Sequence, residues 1–299
     1  MQLQRFAPTA AGIQDFCDRA LPYLQQDAIG HNLLLRVCQS LQTTTEPLTA
    51  SYLVIATQST GEIAAVALRT PPFPLLVSQV SDRGAIALLA ADVQPVEPEL
   101  PGVSAPEAVA IAFQQAWQAW TGCESSLYLA LRLNQLTQVI PPHPLPEGNL
   151  RPAENRDRPL LIDWYRDFQQ EALDDPATPE QAANWADQQL RSGGLSLWQV
   201  GTGDTARPVS VACGVSVAGR IGVINFVYTP PSDRRRDYAS ACVAGVSQQL
   251  LDAGHAACVL FSDRAQASVN HIYQAIGYQP VGDWHYYRFS KPNSSTPPL

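Results

Sequence analysis

A chain of 299 residues with 45% hydrophobic content can bury the cores of about two ordinary domains. Charged side chains make up 15% of it and the formal net charge is −8, which excludes a broad basic face for nonspecific nucleic-acid binding. Met1 to Phe6 contain no apolar signal core and no run approaches membrane-spanning length, so the expectation is a soluble cytoplasmic protein with no membrane partner.

Apolar periodicity predicts helices over 11–25 and 28–41, then strands over 51–57 and 62–69. Thr70-Pro71-Pro72-Phe73-Pro74 breaks the chain before a short strand at 75–78, and a helix over 105–120 precedes a strand over 126–133. The proline-dense segment 140–148 stays extended and belongs to neither a helix nor a sheet interior, which predicts one domain over 1–145 and another over 150–292.

The second half opens on Leu150-Arg151-Pro152-Ala153. A helix over 158–173 follows, with Leu160, Leu161, Trp164, Tyr165 and Phe168 on one stripe. Pro179 suits the first turn of a second helix, which Gly193-Gly194 ends. Strands are expected over 195–200, 209–217 and 221–228, separated by the turns Gly201-Thr202-Gly203-Asp204 and Ala218-Gly219-Arg220.

The third of these strands leads through Pro230, Pro231 and Asp233 into Arg234, Arg235, Arg236, Asp237, Tyr238 and Ala239. Cys242, Val243, Val246, Leu250 and Leu251 then recur at helical spacing. The first turn of that helix presents unpaired N–H groups beside three guanidinium groups, which is the chemistry of a phosphate site. A solvated loop is the plainer account of the arginines, but three cations at a helix N-terminus oppose its dipole and call for an anion. Asp237 is open to two readings: an N-cap that occupies those N–H groups itself, or a carboxylate tolerated beside a bound anion. The helix ends at Ala253-Gly254 and a strand follows over 257–261. A helical segment carrying Asn270, His271, Ile272, Tyr273 and Ile276 then turns at Gly277 into 278–281.

The six cysteines form no Cys-x-x-Cys pair and have no histidine at metal-ligand spacing, so they read as reduced, mostly buried thiols and no metal is expected.

A strand, an arginine-rich loop, a helix, a strand and then Asn270-x-x-Tyr273-x-x-Ile276-Gly277-Tyr278 together resemble the cofactor half of the GNAT superfamily, the acyl-CoA-dependent N-acyltransferases. The family's loop reads Arg or Gln, two free positions, Gly, one free position, then Gly or Ala. Arg234 and Ala239 match its ends, and Asp237 stands where the family has its inner glycine. The resemblance implies an α/β fold around a mixed central sheet. The C-terminal domain would be a complete GNAT domain, and the N-terminal one a degenerate GNAT-like unit with neither the arginine loop nor the Asn-x-x-Tyr element.

It also implies direct transfer of acetyl from acetyl-CoA, used as co-substrate, to a primary amine on a small molecule or peptide, in a monomer or homodimer. Val227, Tyr228 and Thr229 would pair with the pantetheine arm, Arg234 to Ala239 would meet the pyrophosphate, Asn270 would touch the arm and Tyr273 would be the general acid. On residue pattern alone, Tyr273 also reads as a core aromatic, and Asn270 as a helix cap. No general base can be assigned: 209–228 holds no Asp or Glu, Asn225 occupies a plausible position, and Asp163, Glu171, Asp174 and His285 are the acid and imidazole groups on offer. Two other functions are compatible with the same residues. In one, Asp237 has closed the phosphate site and the chain is a non-catalytic acyl-CoA-binding or regulatory module. In the other, the acyl donor is an aminoacyl-tRNA, which the acidic balance opposes.

Overall fold

In the computed structural model, residues 1–43, 52–173, 176–218 and 220–291 are described, so Ser51, Asp174, Gly219 and Pro292 lie outside. Short 3-10 turns aside, the chain runs through one succession of elements twice. The first pass is β1 (Gln2–Phe6), α1 (Ala10–Leu24), α2 (Asn32–Thr43), β2 (Tyr52–Thr57), β3 (Ile63–Arg69), β4 (Leu75–Val77), α3 (Gly84–Val93), β5 (Gly102–Pro106), α4 (Glu107–Thr121) and β6 (Glu124–Leu136). The second is β7 (Asn149–Pro152), α5 (Arg158–Leu173), α6 (Pro179–Ser192), β8 (Leu195–Val200), β9 (Arg207–Val217), β10 (Ile221–Tyr228), α7 (Tyr238–Asp252), β11 (Ala257–Asp263), α8 (Ala267–Ala275) and β12 (Gln279–Ser290).

The chain divides into two compact units, one comprising Met1–Leu133, Ser262–Gln266 and Val281–Leu299, the other Asn134–Phe261 and Ala267–Pro280. In the first unit the strand order is β1-β2-β3-β4-β5-β12-β6. The β4–β5 pair is parallel, and β12 lies antiparallel to β5 with His285 opposite Ala105. Its core gathers Val54, Leu75, Leu89, Val103, Phe113 and Trp117.

The second unit has the order β11-β10-β9-β8-β7, parallel only between β10 and β11. Alternate residues of these strands feed two cores, as the pleat requires. Ala212, Ile224 and Leu260 pack with Val243 and Val246 of α7 and with Tyr273 of α8. Leu197, Val211 and Phe226 pack with Leu161 and Trp164 of α5 and with Ala186 of α6. The α7 helix lies close on the sheet because Gly214 and Gly222 leave room for it. A Cβ on Gly214 would stand 2.7 Å from Val246 Cγ1, and one on Gly222 would stand 2.8 Å from Leu250 Cδ1.

Four differences from the expected elements stand out. The β1 segment, Gln-Leu-Gln-Arg-Phe, is too polar to read as a strand, yet as the outermost strand of its sheet it needs only one buried side. The α3 segment is apolar on nearly every side and lacks the amphipathic period that marks a helix. Its Ala85, Ile86, Leu89, Ala90 and Val93 are all buried. The expected helix over 105–120 starts at Glu107, because 102–106 is the fully buried strand β5. The brief strand expected at 278–281 is the start of the much longer β12.

Candidate functional site

The segment from β10 to α7 is the centre of the candidate site. Parallel pairing of β10 with β11 covers Ile221↔Ala257, Gly222↔Cys258 and Val223↔Val259, and stops there. Antiparallel pairing of β10 with β9 continues to Tyr228↔Val211, past a one-residue bulge between Asn225 and Tyr228. From Ile224 to Tyr228 the edge of β10 that faces β11 is therefore unpaired with it among the described residues. Phe226 lies within the bulge at φ +43°, a left-handed conformation that costs a bulky residue on the order of 1–3 kcal/mol. Rings from α5 and α6 surround it: Phe168 at 5.3 Å, Tyr165 at 5.8 Å and Trp185 at 4.4 Å between centroids.

Beyond β10 the loop is braced from below. Asp233, 3% exposed, accepts two hydrogen bonds from Arg207, at 2.8 and 2.9 Å. The Arg207 guanidinium holds the Asp233 carboxyl below the usual carboxylate range. Arg234 turns away from the loop: its Nε donates to the Thr229 carbonyl at 2.8 Å and its Nη2 to Glu171 at 2.5 Å. It also lies over the Tyr228 ring at 5.8 Å. Arg235 and Arg236 are exposed and make no hydrogen bond or ion pair among the described residues. Asp237 is the N-cap residue of α7 by position, at φ +57°, and its carboxylate makes no capping hydrogen bond. Its backbone carbonyl takes the first helical bond from Ala241. The N–H groups of Tyr238, Ala239 and Ser240 are thus left without the carboxylate that could have filled them.

This arrangement excludes the first reading of Asp237, in which its carboxylate caps the helix. The residue takes the backbone conformation that an inner glycine adopts most readily, which Asp tolerates better than most side chains, and its carboxylate leaves the helix end open. Arg235 is also left-handed, at φ +61°. The counterpart turn of the first unit differs. There Asp82 accepts from the Gly84 N–H at 2.8 Å, so the start of α3 is occupied by its own carboxylate.

The remaining expected residues are distributed as follows. Val227 is half-buried against the α7 core. Tyr228 is buried and its hydroxyl donates to Asp167 at 3.3 Å or Glu171 at 3.4 Å; burial, then these two carboxylates, push it up to about 12. Thr229 is half-buried and donates to Ser210 at 2.9 Å. Asn270 lies inside the first turn of α8, past the cap position. Tyr273 is 8% exposed with its ring at 6.0 Å from Tyr278, so it is the core aromatic that its spacing suggests. Burial raises its hydroxyl to about 12, and that hydroxyl has no hydrogen-bond partner among the described residues.

Of the acids and imidazole considered as bases, Glu171 is engaged by Arg234 and Asp163 is exposed on α5. His285 belongs to the first unit, buried with its Nε2 at 3.2 Å from Glu107, close enough for an ion pair but without hydrogen-bond geometry. Burial holds it below its ordinary value. Among the described residues no group of three or more His, Cys, Asp or Glu is arranged to hold a metal ion, and no helix is long and apolar enough to cross a membrane. Sequence reasoning missed the Arg207–Asp233 brace and the bulge at Phe226. Asp233 beside the arginines was a legible cue for the first; the second left none.

Residues 202–289 match the family model described as FR47-like protein. No curated protein matches the chain. Among solved structures, the chain is similar to a GCN5-related N-acetyltransferase from Sphaerobacter thermophilus, at 19% identity and a TM-score of 0.63 over 97% of this chain and 96% of that one. An acetyltransferase of the GNAT family from Colwellia psychrerythraea aligns at 7% identity and a TM-score of 0.60, over 98% and 100% of the two chains. A tandem GNAT protein from the clavulanic acid biosynthesis pathway aligns at 13% identity and a TM-score of 0.59, over 99% and 100%. With the doubled succession of elements, these likenesses show that the chain has the fold of the GNAT acetyltransferases.

Proposed function

We infer that the chain is an acyl-CoA-dependent N-acetyltransferase that moves acetyl from acetyl-CoA to a primary amine in a ternary complex. One observation carries this reading: the N-terminus of α7 is left open by Asp237 and flanked by two unpaired arginines, at the end of a strand that has parted from its neighbour. Arg235, Arg236 and the N–H groups of Tyr238, Ala239 and Ser240 would hold the diphosphate, and the free edge of Ile224–Tyr228 would pair with the pantetheine arm.

Bound acetyl-CoA supplies an already activated thioester, so the C–N bond can form as the C–S bond breaks, with neither metal nor covalent enzyme intermediate required. The chain's part is to orient the reactants and to move protons. Tyr273, a neutral phenol, would protonate the departing sulfur; burial makes that proton harder to give up, which the charge growing on the sulfur must offset. The amine's proton leaves toward solvent, since no carboxylate of β9 or β10 is available to accept it.

Calorimetry with acetyl-CoA tests the reading, followed by thiol release with a panel of amines. Micromolar affinity is expected, weakened about tenfold or more in the Arg235→Ala/Arg236→Ala variant, which loses charge-assisted contacts. Asp237→Gly should tighten binding by at most about 2 kcal/mol, through lost repulsion. No heat at millimolar acetyl-CoA would leave the non-catalytic module as the better account.

A further inference from the structure

The opening between β10 and β11 depends on where Phe226 points. Ile224 packs in the α7 core, and strict alternation would send Phe226 and Tyr228 to the same side. Both instead pack in the α5–α6 core, because the bulge inserts one residue and reverses the faces of everything after it. Pairing with β11 ends at Val223, two residues before the bulge that begins after Asn225. Glycine would take the left-handed bulge position freely, whereas phenylalanine resists it, so something must hold Phe226 there. The holder is the aromatic seat, in which Trp185 meets the Phe226 ring edge-to-face at 4.4 Å and stacks on Tyr165 at 4.2 Å.

We propose that Phe226 is a positioning residue, anchored by Tyr165 and Phe168 of α5 and Trp185 of α6, and that this anchor keeps β10 parted from β11 and open to the acyl-CoA arm. The helices α5 and α6 thereby set how much of the protein is competent to bind the co-substrate. If the anchor is lost, the strained bulge relaxes into regular alternation, and apparent affinity falls in proportion to the competent fraction. The ligand in this proposal rests on the acetyltransferase reading; the mechanics of the bulge do not.

The test compares Phe226→Ala, Phe226→Gly and Trp185→Ala in the full chain. Phe226→Ala, which keeps the strain and loses the anchor, should raise the Kd and KM for acetyl-CoA about tenfold with kcat little changed. Phe226→Gly, which has no strain to hold, should stay within about threefold of the parent. Trp185→Ala should weaken binding in the parent but not in the Phe226→Gly background. A purely structural role predicts the reverse order, since alanine packs better and stiffens the chain, so alanine binding as well as glycine or better overturns the proposal. If the parent binds no acetyl-CoA, the functional reading fails and amide hydrogen exchange of the free protein decides the proposal. Added protection over 224–228 in Phe226→Ala but not in Phe226→Gly supports it, and identical patterns in the two variants overturn it.

Discussion

Tyr273 serves two purposes in one side chain: its ring belongs to the α7–α8 core and its hydroxyl is the candidate acid. Replacement by phenylalanine keeps the ring, so stability and acetyl-CoA affinity should hold while turnover drops by about 100-fold or more. Steady-state kinetics beside calorimetry would separate the two, and unchanged turnover removes Tyr273 from the mechanism. Asp233 illustrates a residue whose charge matters for folding. Its pKa is lowered in the native state by the hydrogen bonds from Arg207, so its stabilisation is full above the ordinary carboxylate value and is lost as pH falls through the depressed one. Arg207 is half-exposed, which screens the pair. Asp233→Asn should therefore cost only about 1–2 kcal/mol at neutral pH and should flatten the stability profile below about pH 4, measured by urea titration at several pH values.

At the scale of elements, α7 is the piece whose position matters most, because its first turn is the proposed anion site and its body lies on β9 and β10. Gly214 sets that distance, and Val246 is a β-branched neighbour that cannot swing aside. Gly214→Ala should cost about 1–3 kcal/mol through overpacking, lowering the urea midpoint with the slope unchanged. Acetyl-CoA affinity should fall as well if the helix is lifted, whereas an intact midpoint would mean that the helix has slack.

For the whole molecule, the same ten-element succession occurs twice, but the two strand-to-helix turns are chemically different. At α3 a carboxylate bonds to the helix end; at α7 the carboxylate makes no capping bond, and two arginines have no ion pair among the described residues. Calorimetry of the full chain should accordingly show one acetyl-CoA per chain. A stoichiometry of two would mean that Asp82 yields to a diphosphate.

Local physics made much of this legible in advance. The arginine cluster ahead of a helix, the glycine that ends it, the Pro-opened α6 and the strand succession of the second half are written in neighbouring residues, where capping, turn chemistry and periodicity operate. What local pattern left undecided was settled by tertiary packing. Alternation in Ile224-Asn225-Phe226-Val227-Tyr228 assigns one face to residues that the fold divides between two cores, because a bulge is stabilised by rings from α5 and α6 distant in sequence. Arg234 reads as one of three equal cations until α5 brings Glu171 to it. Asp237 reads equally well as cap or intruder until its backbone takes a left-handed turn and its carboxylate makes no capping hydrogen bond. Residue types and spacing determine which groups are available; only the folded chain determines which of them already have a partner.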